Sequence, residues 1–168
     1  PGLSPVSFSE KAIHKFTHRK TPVTSWFLDL NLVMGYWGKG AKRAYHHTAP
    51  VNTLYGLHES LVMLTEDGLE SYWARHKENH LLLRDGLSKL GIEYLVDESC
   101  RLPQLNSVYI PDGADDEKVR SSLINDFTIE IGAGLGDLAG KIWRIGLMGH
   151  TSRKENVERC LSALKKIL

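Results

Sequence analysis

The 168-residue chain is 42% apolar, 24% charged and 8% aromatic, which excludes disordered, collagen-like and disulfide-scaffold proteins. Twenty-one basic residues against twenty acidic ones leave a formal charge of +1, so no single-sign field points to nucleic acid or to a membrane surface. Cys100 and Cys160 match no zinc or thioredoxin spacing and read as reduced thiols of an intracellular protein, and no apolar run approaches the ~18 residues that cross a bilayer.

A chain of this size makes one domain, or one domain plus part of another. The opening Pro1-Gly2-Leu3-Ser4-Pro5 has no initiator Met or signal-peptide pattern, and reads as an entry into the middle of a fold whose N-terminal partner is missing. Ser9 to Ala12 looks like a cap and first turn of a helix that continues towards Phe16, and Thr17 to Pro22 is a polar loop. From Ser25 on, Trp26, Leu30, Val33 and Trp37 stand at helical spacing and predict a core-facing stripe; Gly38 to Arg43 is a flexible basic loop. Pro50 suits the first turn of a helix, and Leu54, Leu57, Leu61 and Leu64 extend it from Val51 to Glu66. Gly68 interrupts. Leu69 to Leu90 resumes with Tyr72, Trp73, His76, His80, Leu83 and Leu87 near one face and Gly91 as its stop, either as a second helix or beyond a kink in one.

After Gly91 the period changes. Ile92–Val96, Ser107–Ile110, Ile129–Ile131 and Ile142–Leu147 read as strands, and Asp115-Asp116-Glu117 opens a helix that runs to about Asp126. Ser152 to Glu155 fits a capping box before a last helix that buries Val157, Leu161, Leu164 and Leu168. The half beyond Gly68 is expected to be a small α+β lobe with helices over a mainly antiparallel sheet.

Three groups could carry chemistry. Gly134-Leu135-Gly136-Asp137-Leu138-Ala139 matches the G-x-G-x-x-A form of a dinucleotide fingerprint, but the sequence re-enters a strand at Ile142 and leaves no helix to receive a pyrophosphate. Its glycines serve a tight turn or a close approach. Arg144 stands inside an apolar strand, on one face with Ile142 and Gly146. It needs an anion there, either Glu130 or Asp137 in an internal ion pair or the carboxylate of a substrate, which its planar guanidinium suits. Tyr45-His46-His47-Thr48 precedes a helix start, as an ordinary polar cap or as an anion site with the Tyr45 and Thr48 hydroxyls as donors. Adjacent histidines rarely converge on one metal ion, and no further ligand pattern lies near them.

Ser7-Phe8-Ser9, Arg19-Lys20-Thr21, Tyr36-Trp37-Gly38, Tyr45-His46-His47-Thr48, Glu66 to Glu70, Arg101-Leu102-Pro103, Gly134-Leu135-Gly136 and Trp143-Arg144-Ile145-Gly146 occur in this order along essentially the whole chain. With them the sequence closely resembles the C-terminal part of the alanine–glyoxylate (serine–pyruvate) aminotransferases, class V pyridoxal-phosphate enzymes of fold type I. The resemblance implies an α/β fold in which residues 1–67 are the tail of the large cofactor domain and 68–168 the small C-terminal domain. It implies that Arg144 and Gly134 belong to the substrate site, and that Tyr45 and Thr48 reach the cofactor phosphate in the other subunit of a homodimer. It also implies that the Schiff-base lysine lies ahead of Pro1, so the chain alone is expected not to transaminate. Alternatives are a kynurenine-type aminotransferase of the same family, or a non-enzymatic module derived from it. The family resides in peroxisomes or the mitochondrial matrix, although Lys166-Ile167-Leu168 is a poor version of the peroxisomal Ser-Lys-Leu address.

Overall fold

The computed structural model describes residues 2–36 and 44–168 and divides the chain into two compact units, Pro1–Met63 and Leu64–Leu168. In the first, the Ser9 hydroxyl accepts the N–H of Ala12 at 3.3 Å and starts α1 (Glu10–Thr17). The long stripe predicted from Ser25 is cut short to α2 (Leu30–Val33) and a 3-10 turn at Met34–Tyr36. The cause is Asp29, whose carboxylate accepts the N–H of Asn31 at 2.9 Å and so makes position 29 a helix start rather than a helix interior. Trp26, expected in the core, is 61% exposed, while Trp37 and the loop 38–43 lie outside the described residues. The Pro50 carbonyl accepts the first helical N–H, that of Leu54, and α3 spans Val51–Asp67 with Leu54, Leu57 and Leu61 exposed.

The division between the units falls inside α3, ahead of the Gly68 boundary read from the sequence. Gly68 has φ +81°, a left-handed backbone that a residue with a side chain resists, and it separates α3 from α4 (Leu69–Lys89): two helices, not one with a kink. The core side of α4 is half polar. His76, Asn79 and His80 are buried together with Leu83 and Leu87, whereas Trp73, expected on that side, is 60% exposed. Each of these buried polar groups has a partner outside the helix, in β1 or in the connection ahead of the last helix. His76 Nε2 accepts the N–H of Gly149 at 3.1 Å, Asn79 donates to the Ser152 hydroxyl at 3.2 Å, and the His80 Nδ1–H donates to Asn106 Oδ1 at 2.7 Å. Asn106 in turn donates to the carbonyls of Ile145 and Pro103 and accepts the Tyr94 hydroxyl.

The sheet of the second unit has the order β1–β3–β2, all antiparallel, with β1 at Leu105–Tyr109, β2 at Gly132–Ala133 and β3 at Ile142–Gly146. The strand expected at Ile92–Val96 is reduced to one bridge, Tyr94 to Val108, flanked by the N–H of Leu95 on the Ser107 carbonyl and that of Tyr109 on the Glu93 carbonyl. The strand expected at Ile129–Ile131 enters the sheet only at Gly132. Helix α5 (Asp116–Phe127), capped by Asp115, ends in left-handed Thr128 (φ 56°), and the N–H of Ile129 turns back to the Leu123 carbonyl. Ile129 is thus spent on closing the helix.

Alternation on β3 sends Trp143 and Ile145 into the core with Leu83, Leu87, Val119, Leu123, Val157 and Leu164. The Trp143 indole N–H donates to the Asp116 carboxylate at 2.9 Å, and Arg120 Nε donates to the same carboxylate at 2.7 Å, so the first turn of α5 is clamped to the central strand. The bond from Arg120, then that from Trp143, holds the Asp116 carboxyl below its usual 3.8. A depressed folded value means that the clamp stabilises fully above the ordinary carboxylate range and fades as pH falls through the lower value. The difference in urea midpoint between wild type and Asp116→Asn, read by tryptophan fluorescence, is therefore expected to be widest above about pH 4 and to close below it.

The capping box predicted at Ser152 does not form. Arg153, in extended backbone, precedes α6 (Lys154–Ile167), and Ser152 is fully buried as the acceptor for Asn79. The buried face of α6 is Val157, Cys160, Ala163 and Leu164, with Leu161 partly buried; Leu168, expected on that face, is exposed.

Candidate functional site

In the second unit the register sets Arg144 between Ser107 of β1 and Gly132 of β2. All three project from the sheet face opposite Trp143 and Ile145, since antiparallel partners share a face. Arg144 is half-buried, and neither Glu130 nor Asp137 pairs with it; among the described residues it forms no ion pair. Its Nε instead donates to the Ala133 carbonyl at 2.7 Å. A neutral carbonyl satisfies one N–H and leaves the positive charge without a counter-ion among the described residues, which is the condition for receiving an external carboxylate.

The glycine segment beyond β2 makes a 3-10 turn at Gly136–Leu138 and returns to β3, with the N–H of Gly134 on the Ile142 carbonyl at 3.0 Å. The close approach at Gly134 is to its own loop: a Cβ there would stand 1.9 Å from the Leu138 carbonyl oxygen.

In the first unit Tyr45 is 80% exposed, and its hydroxyl is hydrogen-bonded to that of Thr48, also exposed. The segment is held from beneath by the Tyr36 hydroxyl, which accepts the N–H groups of His46 and His47 and donates to the His47 carbonyl at 3.0 Å. The two imidazoles are taken up by packing. His46 donates through Nε2 to the Trp26 carbonyl at 2.8 Å and lies 4.0 Å from the Trp26 ring, while His47 meets His46 edge-on at 4.0 Å and Phe27 at 4.5 Å. Among the described residues, no group of three His, Cys, Asp or Glu side chains could hold a metal ion.

A hydroxyl pair bonded to itself and open to solvent fits a phosphate, because each hydroxyl can turn its hydrogen onto an anionic oxygen. Three contributors carry no sequence signal of a site: the Ala133 carbonyl, the missing side chain of Gly132 and the supporting Tyr36 hydroxyl. Only the strand register and the loop path bring them to their places.

No protein-family model matches the chain. Alanine–glyoxylate aminotransferase of Callithrix jacchus is 44% identical over 170 residues, covering 100% of this chain and 41% of the relative. The (S)-ureidoglycine–glyoxylate transaminase of Bacillus subtilis is 36% identical over 99% of this chain and 44% of its own length. The solved structure of alanine–glyoxylate aminotransferase from Nostoc sp. superposes with a TM-score of 0.87 at 45% identity, over 96% of this chain and 42% of that one. In sequence along its whole length, and in fold, the chain is thus similar to the alanine–glyoxylate aminotransferases. It spans about two-fifths of the length of the relatives it matches, and a C-terminal part of an alanine–glyoxylate aminotransferase fits it along its whole length.

Proposed function

We propose that the chain forms part of a pyridoxal-phosphate-dependent aminotransferase that moves the amino group of L-alanine or L-serine to glyoxylate or pyruvate. The observation that carries this reading is Arg144, a strand arginine with one N–H on a backbone carbonyl and no carboxylate partner among the described residues. The names of the Callithrix and Bacillus relatives share glyoxylate while their amino donors differ. That pattern suits an anchor which grips the α-carboxylate common to every substrate and ignores the rest.

Arg144 orients each acid by its carboxylate and so fixes where the α-carbon lies. Gly134 contributes shape, keeping its loop tight against Leu138. The Tyr45 and Thr48 hydroxyls hold the cofactor phosphate, in the site of a second copy of the chain within a homodimer. Pyridoxal phosphate, when bound, supplies the electron sink and the carrier for the amino group. The lysine that bears it lies ahead of Pro1 in this reading, and the enzyme works in the peroxisome or the mitochondrial matrix.

The 168 residues alone, given pyridoxal phosphate, L-alanine and glyoxylate, are expected to form no pyruvate above the cofactor control. Joined behind the N-terminal portion of the Nostoc relative, they are expected to transfer the amino group. Arg144→Ala in that chimera should raise KM for alanine and for glyoxylate by about 10–100-fold, the worth of a charge-assisted bond of ~1.5–3 kcal/mol. Unchanged KM values would remove Arg144 from the site, and a chimera that folds without transferring would end the reading as a whole.

A further inference from the structure

A guanidinium offers two edges to a carboxylate: a side edge, Nε with one terminal amine, and an end edge made by both terminal amines. Strand β2 already occupies the side edge of Arg144. Nε donates to the Ala133 carbonyl at 2.7 Å. Gly132 lies against the same edge, and a Cβ at that position would stand 3.3 Å from Nη2, 3.4 Å from Nε and 3.5 Å from Arg144 Cβ. Among the described residues neither terminal amine has a hydrogen-bond acceptor.

We propose that Gly132 and the Ala133 carbonyl are a positioning element that holds Arg144 by its side edge, so that a substrate carboxylate is received end-on through both terminal amines. The proposal rests on the reading of Arg144 as the carboxylate anchor. An end-on acid gains two parallel N–H···O bonds without displacing any bond of the protein, whereas a side-on acid must first break Nε–H from Ala133. Gly132 is then small so that the guanidinium can lie flat along β2. Its φ is outside the left-handed region, so alanine or valine at 132 suits the strand backbone. In such variants the movable partner is the end of the arginine rather than the sheet.

Nitrogen-15 NMR of the arginine side chains tests this in the 168-residue chain, with Arg144 assigned by the signals lost in Arg144→Lys. Without ligand, the Arg144 Nε–H is expected to exchange with water about tenfold more slowly than an exposed arginine Nε–H, as a hydrogen bond to a carbonyl requires. Gly132→Ala and Gly132→Val are expected to lose that protection while the backbone amide spectrum is kept. Added glyoxylate should shift and sharpen the terminal-amine signals and leave Nε–H where it was. Three results would each overturn the proposal: an unprotected Nε–H in the wild type, protection that survives in both Gly132 variants, or an Nε–H that moves with glyoxylate as far as the terminal amines. Should the variants fail to fold, wild-type protection and the pattern of glyoxylate shifts decide alone. A protected Nε–H that both variants lose, with no Arg144 nitrogen responding to glyoxylate, would uphold the hold by β2 and reject the carboxylate reading instead.

Discussion

Trp143→Ala is expected to lower stability by about 3–5 kcal/mol, the range for emptying a fully buried aromatic site. Trp143 is 0% exposed and is the largest side chain at the centre of the second unit. Truncation opens a cavity between β3 and the helices, and it also removes the indole N–H that ties Asp116, and with it the start of α5, to the sheet. Trp143→Phe separates the two effects. It keeps most of the volume and loses only the bond, so about 1–2 kcal/mol of the loss should remain. Chemical denaturation of the three proteins, followed by far-ultraviolet circular dichroism, measures both differences. An alanine variant as stable as the phenylalanine one would mean that Trp143 contributes little by packing.

Gly134→Ala is expected to be the most damaging glycine-to-alanine change among the described residues, at about 2–4 kcal/mol. The new Cβ would stand 1.9 Å from the Leu138 carbonyl oxygen, 2.6 Å from its carbon and 3.0 Å from Ile142 Cγ1. The first two belong to backbone, which cannot swing aside as a side chain can, so the turn between β2 and β3 must open. The bond from the N–H of Gly134 to the Ile142 carbonyl goes with it. Gly136→Ala is the control, because nothing lies within 4 Å of a Cβ there, and its cost should come only from the backbone angle. Thermal melts of both variants test this; a Gly134→Ala melt within a few degrees of wild type would mean that the loop adapts freely.

Apolar periodicity was a good guide where an element buries one continuous face. The strand that carries Trp143 and Arg144, the helix capped by Asp115 and the break at Gly68 could all be read from residue order. It failed where local hydrogen bonding overrode the pattern. Asp29 began a helix inside the Trp26–Val33 stripe, left-handed Thr128 turned the Ile129 N–H back onto α5, and Ser152 turned inward to Asn79 rather than capping α6. For Arg144, strand alternation gave the face, but the choice between Glu130, Asp137 and an external acid needed the register of β2, because the group that answers Nε is a main-chain carbonyl. Carbonyls are present at every position and carry no signature in residue identity.

The inward polar side of α4 reverses the usual rule of substitution for a core helix. At 83 and 87 an oilier residue is the safe exchange; at 76, 79 and 80 it is the harmful one. Leucine in place of His80 would take a donor from the Asn106 amide oxygen, and leucine at 76 would take the acceptor from the Gly149 N–H. Any attempt to harden this protein by enriching its interior with aliphatic side chains must therefore leave those three positions alone.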